Sequence, residues 1–150
     1  MNPFFSLITI CKNSSSHIQE CLYSIYEQSF KDYEHIVCEG KSTDKTLEII
    51  KKSKNKNIKV YSQEDKGIYD ALNKAIKRCN GKYIILVHSD DKLYNKKVLE
   101  ELHKEIVLKN YSSIFITNIV YVNKKDNVVR KWKSELPNFK KLEMGWMAPH

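Results

Sequence analysis

The sequence lacks the features that mark membrane-spanning, secreted and metal-knuckle proteins. It contains no run of about 18 apolar residues, the length needed to cross a bilayer. The apolar run at residues 4–11 has neither a basic flank before it nor a small-residue cleavage site after it, so we interpret it as a first strand and expect a cytoplasmic location. The four cysteines are widely spaced without a C-x-x-C pair, which favours reduced thiols over a zinc knuckle or a disulfide framework.

Glycine-rich nucleotide-binding loops and arginine clusters are also missing. With only four glycines, the chain has no G-x-G-x-x-G after its first strand and no Walker-type loop, which disfavours dinucleotide oxidoreductases and P-loop enzymes. The net charge of +8 comes mostly from lysine, since the only arginines are Arg78 and Arg130. Bidentate arginine contacts are the commonest device for reading DNA bases, so we expect no nucleic-acid partner. A lysine-rich surface fits a general attraction to anions, either phosphorylated small molecules or an acidic membrane face.

What is present is the alternation of strand and helix patterns that is typical of an α/β domain. At 150 residues, with 41% hydrophobic and 29% charged residues, the chain is large enough for one folded domain with its own core. Apolar runs alternate with amphipathic segments, which predicts a mostly parallel sheet with helices on both faces. The predicted strands are residues 4–11, 33–39, 57–62 and 83–87. The predicted helices are residues 16–28 with a cap at 14–16, a helix through 52 with a cap at 42–44, and residues 68–79 and 96–109.

The pattern changes after residue 110. Residues 113–123 and 128–133 are predicted to form an antiparallel hairpin around a turn at 124–127. A short amphipathic segment follows at residues 138–144. We expect a single domain over residues 1–150, with residues 1–110 as its core and residues 111–150 as the start of a second region.

Polar residues follow each of the four strands that are predicted to be parallel. These loops are residues 12–13, 39–42, 64–67 and 88–91. Ligands of open parallel sheets bind outside the carboxyl ends of the strands, where such loops gather. Four polar loops at one edge of the sheet therefore predict a binding site there.

The last of these loops contains two adjacent carboxylates. The strand at residues 83–87, whose apolar and β-branched content predicts full burial, runs through His88 and Ser89 directly into Asp90 and Asp91. Adjacent carboxylates repel one another and need a compensating cation or hydrogen-bond donors. Mg²⁺ and Mn²⁺ favour such oxygen ligands, often shared with substrate phosphates. A cap of the following helix is the alternative, because Asp and Ser are common at that position.

The loops and the first helix together carry a family resemblance. Five segments match, in order and spacing: residues 6–13 (SLITICKN), 21–30 (CLYSIYEQSF), 38–46 (CEGKSTDKT), 65–74 (DKGIYDALNK) and 89–91 (SDD). They resemble the opening strand, the "CL-S-I--Q-f" helix, the "DGGSTDGT" loop, the "DKGIYDAMNKG" segment and the acidic motif of family-two inverting glycosyltransferases of the GT-A fold, especially bacterial enzymes that build surface polysaccharides. The match covers residues 5–94. Glu39 replaces the aspartate that contacts uracil, Lys41 replaces a glycine, and His88 stands where many relatives carry Asp or Asn.

The resemblance implies a Rossmann-like GT-A fold that binds a nucleoside-diphosphate sugar, a UDP-sugar first among them, with Mg²⁺ or Mn²⁺ as the cofactor. By resemblance Asp91 ligates the metal, and Asp90 contacts the ribose or the waters of the metal. His88 could add a nitrogen ligand, but we favour a plain strand-end histidine because these ions prefer oxygen. The residues that the resemblance places around the nucleotide sugar are Thr9, Asn13, Glu39, Gly67, Asp70, Asn73 and Asp90.

The resemblance also implies what the sequence does not identify. The catalytic base of the family is an Asp or Glu downstream of the hairpin, so we expect it beyond His150 and expect residues 111–150 to be an incomplete acceptor-side region. The acceptor is expected to be a saccharide or a lipid-linked saccharide, and a lysine-rich surface would suit peripheral association with the inner face of an anionic membrane. The alternative to an active transferase is a truncated, non-catalytic nucleotide-sugar-binding module.

Overall fold

The computed structural model describes residues 2–111, 115–123, 125–134, 140 and 143–144. The chain divides into two units, Met1–Glu105 and Ile106–His150. Strands and helices alternate through the first unit, as the sequence predicts. The strands are β1 (Phe5–Cys11), β2 (Tyr33–Glu39), β3 (Ile58–Ser62), β4 (Tyr83–Leu86), β5 (Ile119–Val122) and β6 (Val128–Trp132). The helices are α1 (Ile18–Tyr26), α2 (Thr46–Lys51), α3 (Ile68–Ile76) and α4 (Val98–Leu108).

The first four strands form one parallel sheet in the order β3-β2-β1-β4. Strand β1 lies in the interior, where Phe5 is level with Tyr33 of β2 and with Tyr83 of β4. The predicted parallel α/β sheet is therefore confirmed. Because all four strands run the same way, the loops that follow them meet at one edge, which we call the carboxyl edge.

Helices cover both faces of this sheet. On one face, Ile18 and Leu22 of α1 and Ile50 of α2 pack against Cys11 and Val37 of the sheet. On the other face, Ala75 of α3 packs against side chains of β1 and β2 that point the opposite way, namely Ile8, Ile36 and Cys38. Strands β1 and β2 are buried on both faces, although they carry five buried polar or charged residues, Ser6, Thr9, Glu34, His35 and Glu39.

Two local predictions are wrong. Strand β4 is not fully buried: it is the last of the described strands on its side of the sheet, and Ile84 and Leu86 are 47% and 37% exposed. An apolar run of this length cannot indicate whether the second face of a strand is covered. Helix α1 is not capped by a serine side chain, since its N-cap residue is His17, although the Ser14 carbonyl accepts hydrogen bonds from the first amides.

The predicted hairpin of the second unit is confirmed. Strands β5 and β6 pair antiparallel with Ile119 opposite Trp132, and an irregularity in the register falls at residues 121–122. Both strands are shorter than predicted. Residues 113–114 of the predicted hairpin and residue 124 of its turn lie outside the described residues, as does most of the predicted amphipathic segment at 138–144.

None of the helices in the described part of the chain is long and apolar enough to span a membrane.

Candidate functional site

The loops that follow β1 and β2 are tied together through Asn13. Its backbone N–H donates to Ser42 Oγ at 2.9 Å, and its side-chain Oδ1 accepts from the Thr43 N–H at 2.9 Å. Asn13 has a φ of +51°, in the left-handed region that asparagine tolerates better than most residues. The two loops are therefore held as one surface at the carboxyl edge.

Further along the same loops, Asp44 makes a second tie. Its Oδ2 accepts from the Ser15 N–H at 3.1 Å, while its Oδ1 accepts from the Thr46 N–H at 3.0 Å, at the start of α2. The predicted cap of α2 at residues 42–44 thus acts from Asp44, one residue before the N-cap Lys45. These hydrogen bonds, from Thr46 first and then from Ser15, hold the pKa of Asp44 well below its usual range.

Glu39, at the end of β2, is a buried carboxylate with only 1% of its surface exposed. Its Oε2 accepts from Ser62 Oγ at 2.6 Å, and its Oε1 accepts from the Ser42 N–H. Burial alone would raise the pKa of Glu39, but the hydrogen bonds from Ser42 and Ser62 outweigh it and hold the pKa below its ordinary value. A charged oxygen acceptor therefore lies between the ends of β2 and β3 at neutral pH.

The ends of β1, β2 and β3 converge around Gly40. A Cβ atom at this position would lie 2.7 Å from Asp65 Oδ2 and 3.3 Å from Lys12 Cδ, so any other residue here would displace the end of the Asp65 side chain. The other oxygen of Asp65 accepts from the Gly67 N–H at 2.9 Å. Lys12 and Asp65 were not predicted as site residues, although both occupy loops that directly follow strands.

The predicted residues of the fourth matched segment gather at the start of α3. Gly67 is the N-cap residue and has a φ of +116°, a conformation that favours glycine. Asp70 Oδ2 accepts from the Lys66 N–H at 2.9 Å and from Lys74 Nζ at 2.7 Å, and Lys74 lowers the pKa of Asp70. Asn73 is exposed one turn further on. In this conformation Asp70 stabilises the first turn of its own helix, and the role of all three in donor binding stays a prediction.

The two adjacent aspartates lie in a turn at the end of β4, residues 88–91, which we call the acidic turn. The Val87 N–H donates to the Ile8 carbonyl at 2.9 Å, and the Asp91 N–H then donates back to the His88 carbonyl at 3.0 Å. Asp90 and Asp91 are both exposed. The alternative that they cap the next helix is wrong, because α4 begins only at Val98.

The donor set of the acidic turn is suited to a hard cation that shares its shell with other oxygens. In residues 2–111 and the later described segments, no group of three or more His, Cys, Asp and Glu side chains could hold a metal by itself. Two exposed carboxylates fit an ion such as Mg²⁺, which usually keeps waters and binds substrate phosphates through one or two carboxylates. The residues therefore fit a metal–diphosphate site better than an all-protein metal cage.

Thr9 lies beneath the acidic turn. Its side chain is fully buried, its Oγ1 donates to the Val87 carbonyl at 2.8 Å, and the same oxygen lies 2.9 Å from His35 Nε2. A direct contact with a nucleotide would therefore require the strand ends to move. The prediction that Thr9 lies near the nucleoside stays a prediction, and the contacts observed are with the Val87 carbonyl, just past the end of β4, and with the His35 side chain of β2.

Comparison with known proteins places these features in a family. The chain is 33% identical over 121 residues to chondroitin synthase of Escherichia coli, which covers 77% of this chain and 17% of that protein. It is 32% identical over 103 residues to a putative teichuronic acid biosynthesis glycosyltransferase, TuaG, of Bacillus subtilis, covering 67% of this chain and 41% of that protein. Among solved structures, S. aureus TarS 1–349 in complex with UDP-GlcNAc matches with a TM-score of 0.67 and 34% identity, over 73% of this chain and 32% of that chain.

The match to these proteins is partial in length. The chain spans between 17% and 41% of the curated relatives that it matches. The model of the glycosyl transferase family 2, in contrast, matches residues 6–148, nearly the whole chain. The resemblance that the five sequence segments indicate is thereby confirmed, and the chain belongs to glycosyl transferase family 2.

Proposed function

We propose that this chain binds a nucleoside-diphosphate sugar, with a UDP-sugar as the first candidate, and supplies the donor side of an inverting glycosyl transfer in surface-polysaccharide synthesis. One observation carries the proposal: the acidic turn presents Asp90 and Asp91 at the same carboxyl edge as the tied loops of β1 and β2. The UDP-GlcNAc bound by TarS, at 34% identity, supports UDP as the nucleotide.

In this proposal the metal lies on Asp91, with Asp90 contacting the ribose or the waters of the metal, and the ion is Mg²⁺ or Mn²⁺. A bound divalent ion would neutralise the diphosphate as it departs, acting as a Lewis acid. Three exposed lysines in the loops of this edge, Lys12, Lys41 and Lys66, add positive potential that attracts an anionic donor. These charges bring the diphosphate toward the acidic turn, whose own carboxylates would otherwise repel it.

We place the nucleoside at the other strand ends. Glu39 would accept a hydrogen bond from the base, because its carboxylate is charged and lies where β2 and β3 end. Since only 1% of its surface is exposed, this contact would require the surrounding loops to move. Asn13 lies beside it in the tied loops, and Gly67, Asp70 and Asn73 flank the site from the start of α3. Thr9 would lie beneath the acidic turn, near the nucleoside.

For the whole protein, the proposal also includes the base and the acceptor. A base, which the family places beyond the hairpin, would remove the proton of the acceptor hydroxyl for in-line attack on the anomeric carbon, inverting it. The acceptor is a saccharide or a lipid-linked saccharide. The lysines of the carboxyl edge would let the chain associate with an anionic membrane that carries such a lipid. Flotation with phosphatidylglycerol vesicles and no flotation with phosphatidylcholine vesicles is the expected result, and equal recovery from both would contradict it.

Calorimetric titration with UDP in the presence and absence of Mn²⁺ tests donor binding. We expect Mn²⁺ to strengthen UDP binding by at least about tenfold, and Asp91→Asn to abolish that difference while leaving the fold intact. Glu20→Gln is the matched control, because Glu20 is an exposed carboxylate next to the same turn and pairs with Lys92 at 3.4 Å. An affinity for UDP that changes neither with Mn²⁺ nor with Asp91→Asn would overturn the proposal.

A second assay separates an active donor site from a non-catalytic binding module. Slow hydrolysis of UDP-GlcNAc is measured on the same chain with Mn²⁺, with Asp91→Ala as the comparison. Metal-dependent release of UDP that is lost in Asp91→Ala would reject the inert module. Tight binding without release would favour the module.

A further inference from the structure

The backbone of the acidic turn is held by side chains from outside its own strand. Pairing between β1 and β4 ends at the Val87 N–H, and within the turn the His88 carbonyl accepts from the Asp91 N–H at 3.0 Å. Thr9 of β1 donates to the Val87 carbonyl at 2.8 Å, and Cys21 of α1 donates through Sγ to the His88 carbonyl at 3.3 Å. Two successive carbonyls at the root of the turn are thus fixed by one side chain each.

The chemistry of Cys21 suits it to this role. Burial, and after it the charges of Asp91 and Asp90, raises the pKa of the Cys21 thiol to about 12. The thiol therefore stays protonated at neutral pH and remains a hydrogen-bond donor.

His35 fixes the direction of the hydrogen bond at Thr9. Because the single hydroxyl proton of Thr9 is donated to Val87, the 2.9 Å contact with His35 Nε2 requires the imidazole to donate. Complete burial lowers the pKa of His35 to about 3, so the ring is neutral and carries its one proton on Nε2. Its Nδ1 is buried without a hydrogen-bond partner in the described structure, as an unprotonated nitrogen can be. A directed chain therefore runs from β2 through β1 to the end of β4.

We propose that Thr9 and Cys21, backed by His35, are positioning residues that hold the acidic turn in the geometry needed for a metal–diphosphate complex. This inference rests on the proposed function, since it concerns the same carboxylates. It differs from a plain core role, in which the three side chains would only fill space between α1 and the sheet. It also gives Thr9 a role that needs no contact with the nucleotide.

The test is binding of Mn²⁺ in the presence of saturating UDP, followed by the electron paramagnetic resonance signal of free Mn²⁺. Removal of groups that orient metal ligands typically costs about 10- to 100-fold in metal affinity. We expect a loss of that size in Thr9→Val, which keeps the shape but removes the hydroxyl, and recovery to within about threefold of wild type in Thr9→Ser. Cys21→Ala acts on the neighbouring carbonyl and provides a second variant if Thr9→Val folds poorly.

Ser6→Ala is the matched control. Ser6 lies at the opposite end of β1 and is as completely buried as Thr9. The substitution also removes a hydroxyl hydrogen bond, the one that Ser6 donates to Glu34 at 2.7 Å. Its melting temperature should fall while its affinity for Mn²⁺ stays unchanged. As a readout without metal, exchange of the Asp91 amide proton should accelerate in Thr9→Val and Cys21→Ala and not in Ser6→Ala.

The outcomes distinguish the two levels of the proposal. Wild-type protein that binds no Mn²⁺ with UDP would overturn the proposed function and this inference with it. Wild-type binding that Thr9→Val and Cys21→Ala leave unchanged would overturn this inference alone. An equal loss of Mn²⁺ affinity in Ser6→Ala would also overturn it, because general destabilisation would then explain every variant.

Discussion

Glu34 provides a quantitative test of the energetics at the amino edge of the sheet, opposite the candidate site. Its side chain is 6% exposed, and its Oε2 accepts from Lys59 Nζ at 2.8 Å. Its Oε1 accepts from Ser6 Oγ at 2.7 Å and from the Asn80 N–H at 2.6 Å. Burial alone would raise the pKa of Glu34, but the hydrogen bonds from Lys59, Asn80 and Ser6 lower it from 4.5 to about 2.

Glu34→Gln isolates the charge. The amide oxygen of glutamine can still accept from Ser6 and Asn80, whereas its NH₂ group replaces the oxygen that faces Lys59. The lowered pKa, from 4.5 to about 2, corresponds to about 3 kcal/mol of stability carried by the ionised form. Lys59 is 51% exposed, so water screens part of this energy. We therefore expect Glu34→Gln to lower the free energy of unfolding by about 2 kcal/mol at pH 7.

The dependence on pH has a defined sign. Because the pKa of Glu34 is lower in the folded protein, its contribution is complete above pH 4.5 and is lost as the pH falls toward 2. Urea unfolding of the wild type and Glu34→Gln, repeated between pH 7 and pH 2.5, should give a difference that shrinks over that interval. Since both proteins share every other titrating group, the difference reports Glu34 alone.

Glu48→Gln is the control for Glu34→Gln. Glu48 forms an exposed i,i+4 pair with Lys52 at 2.6 Å, so the same substitution there should cost much less stability than Glu34→Gln. Salt at about 0.5 M NaCl screens the attraction between exposed charges. At that concentration the effect of Glu48→Gln on the free energy of unfolding should vanish, and that of Glu34→Gln should largely remain. A cost for Glu34→Gln below about 0.5 kcal/mol, or one that is constant from pH 6 to pH 3, would refute this account of Glu34.

Three further outcomes are expected. Gly40→Ala should weaken UDP binding by about tenfold in calorimetry, because the new Cβ would lie 2.7 Å from Asp65 Oδ2 and displace that side chain within the site. The effect on stability should be smaller, since only the end of the Asp65 side chain has to move. The His35 imidazole, with its pKa lowered by burial to about 3, should stay neutral at pH 5 in its NMR titration; its contribution to stability is complete above pH 6.5 and is lost toward pH 3. Cys11, whose pKa burial raises to about 12, should resist a thiol reagent at pH 8 in the folded protein, and Cys79, the least buried cysteine, should react first.

The sequence predicts the order of elements well because burial on both faces leaves a strong signal. Strands β1 and β2 lie in the interior of the sheet, and their predicted bounds, 4–11 and 33–39, agree closely with the structure. Strand β4 shows the limit of this signal. Its apolar run is the same kind, yet Ile84 and Leu86, which share one face of β4, are exposed. The residue types of a single strand do not indicate which elements pack against it.

The candidate site was predictable as a set of loops but not as a set of contacts. The rule for parallel sheets predicted that Asn13, Glu39 and the acidic turn would share one edge, and they do. The convergence of Lys12, Gly40 and Asp65 depends on how three different loops turn, which no local pattern specifies. Here the useful signal was Gly40 itself, since a glycine between polar residues in a loop often marks a close approach of other atoms.

Thr9 and Asn13 illustrate how polar residues at strand ends divide into two kinds. A polar side chain on an interior strand cannot reach water, so it must find a partner on a neighbouring strand, and Thr9 finds the Val87 carbonyl. Asn13 lies two residues past the end of β1, yet its amide oxygen is also taken by the next loop. Residues of both kinds rigidify the edge, and Asp90 and Asp91 are then presented from a frame that is already fixed. A donor binds more tightly when the side chains that contact it are already held in place. The residues that determine affinity for the donor therefore include residues that never contact it.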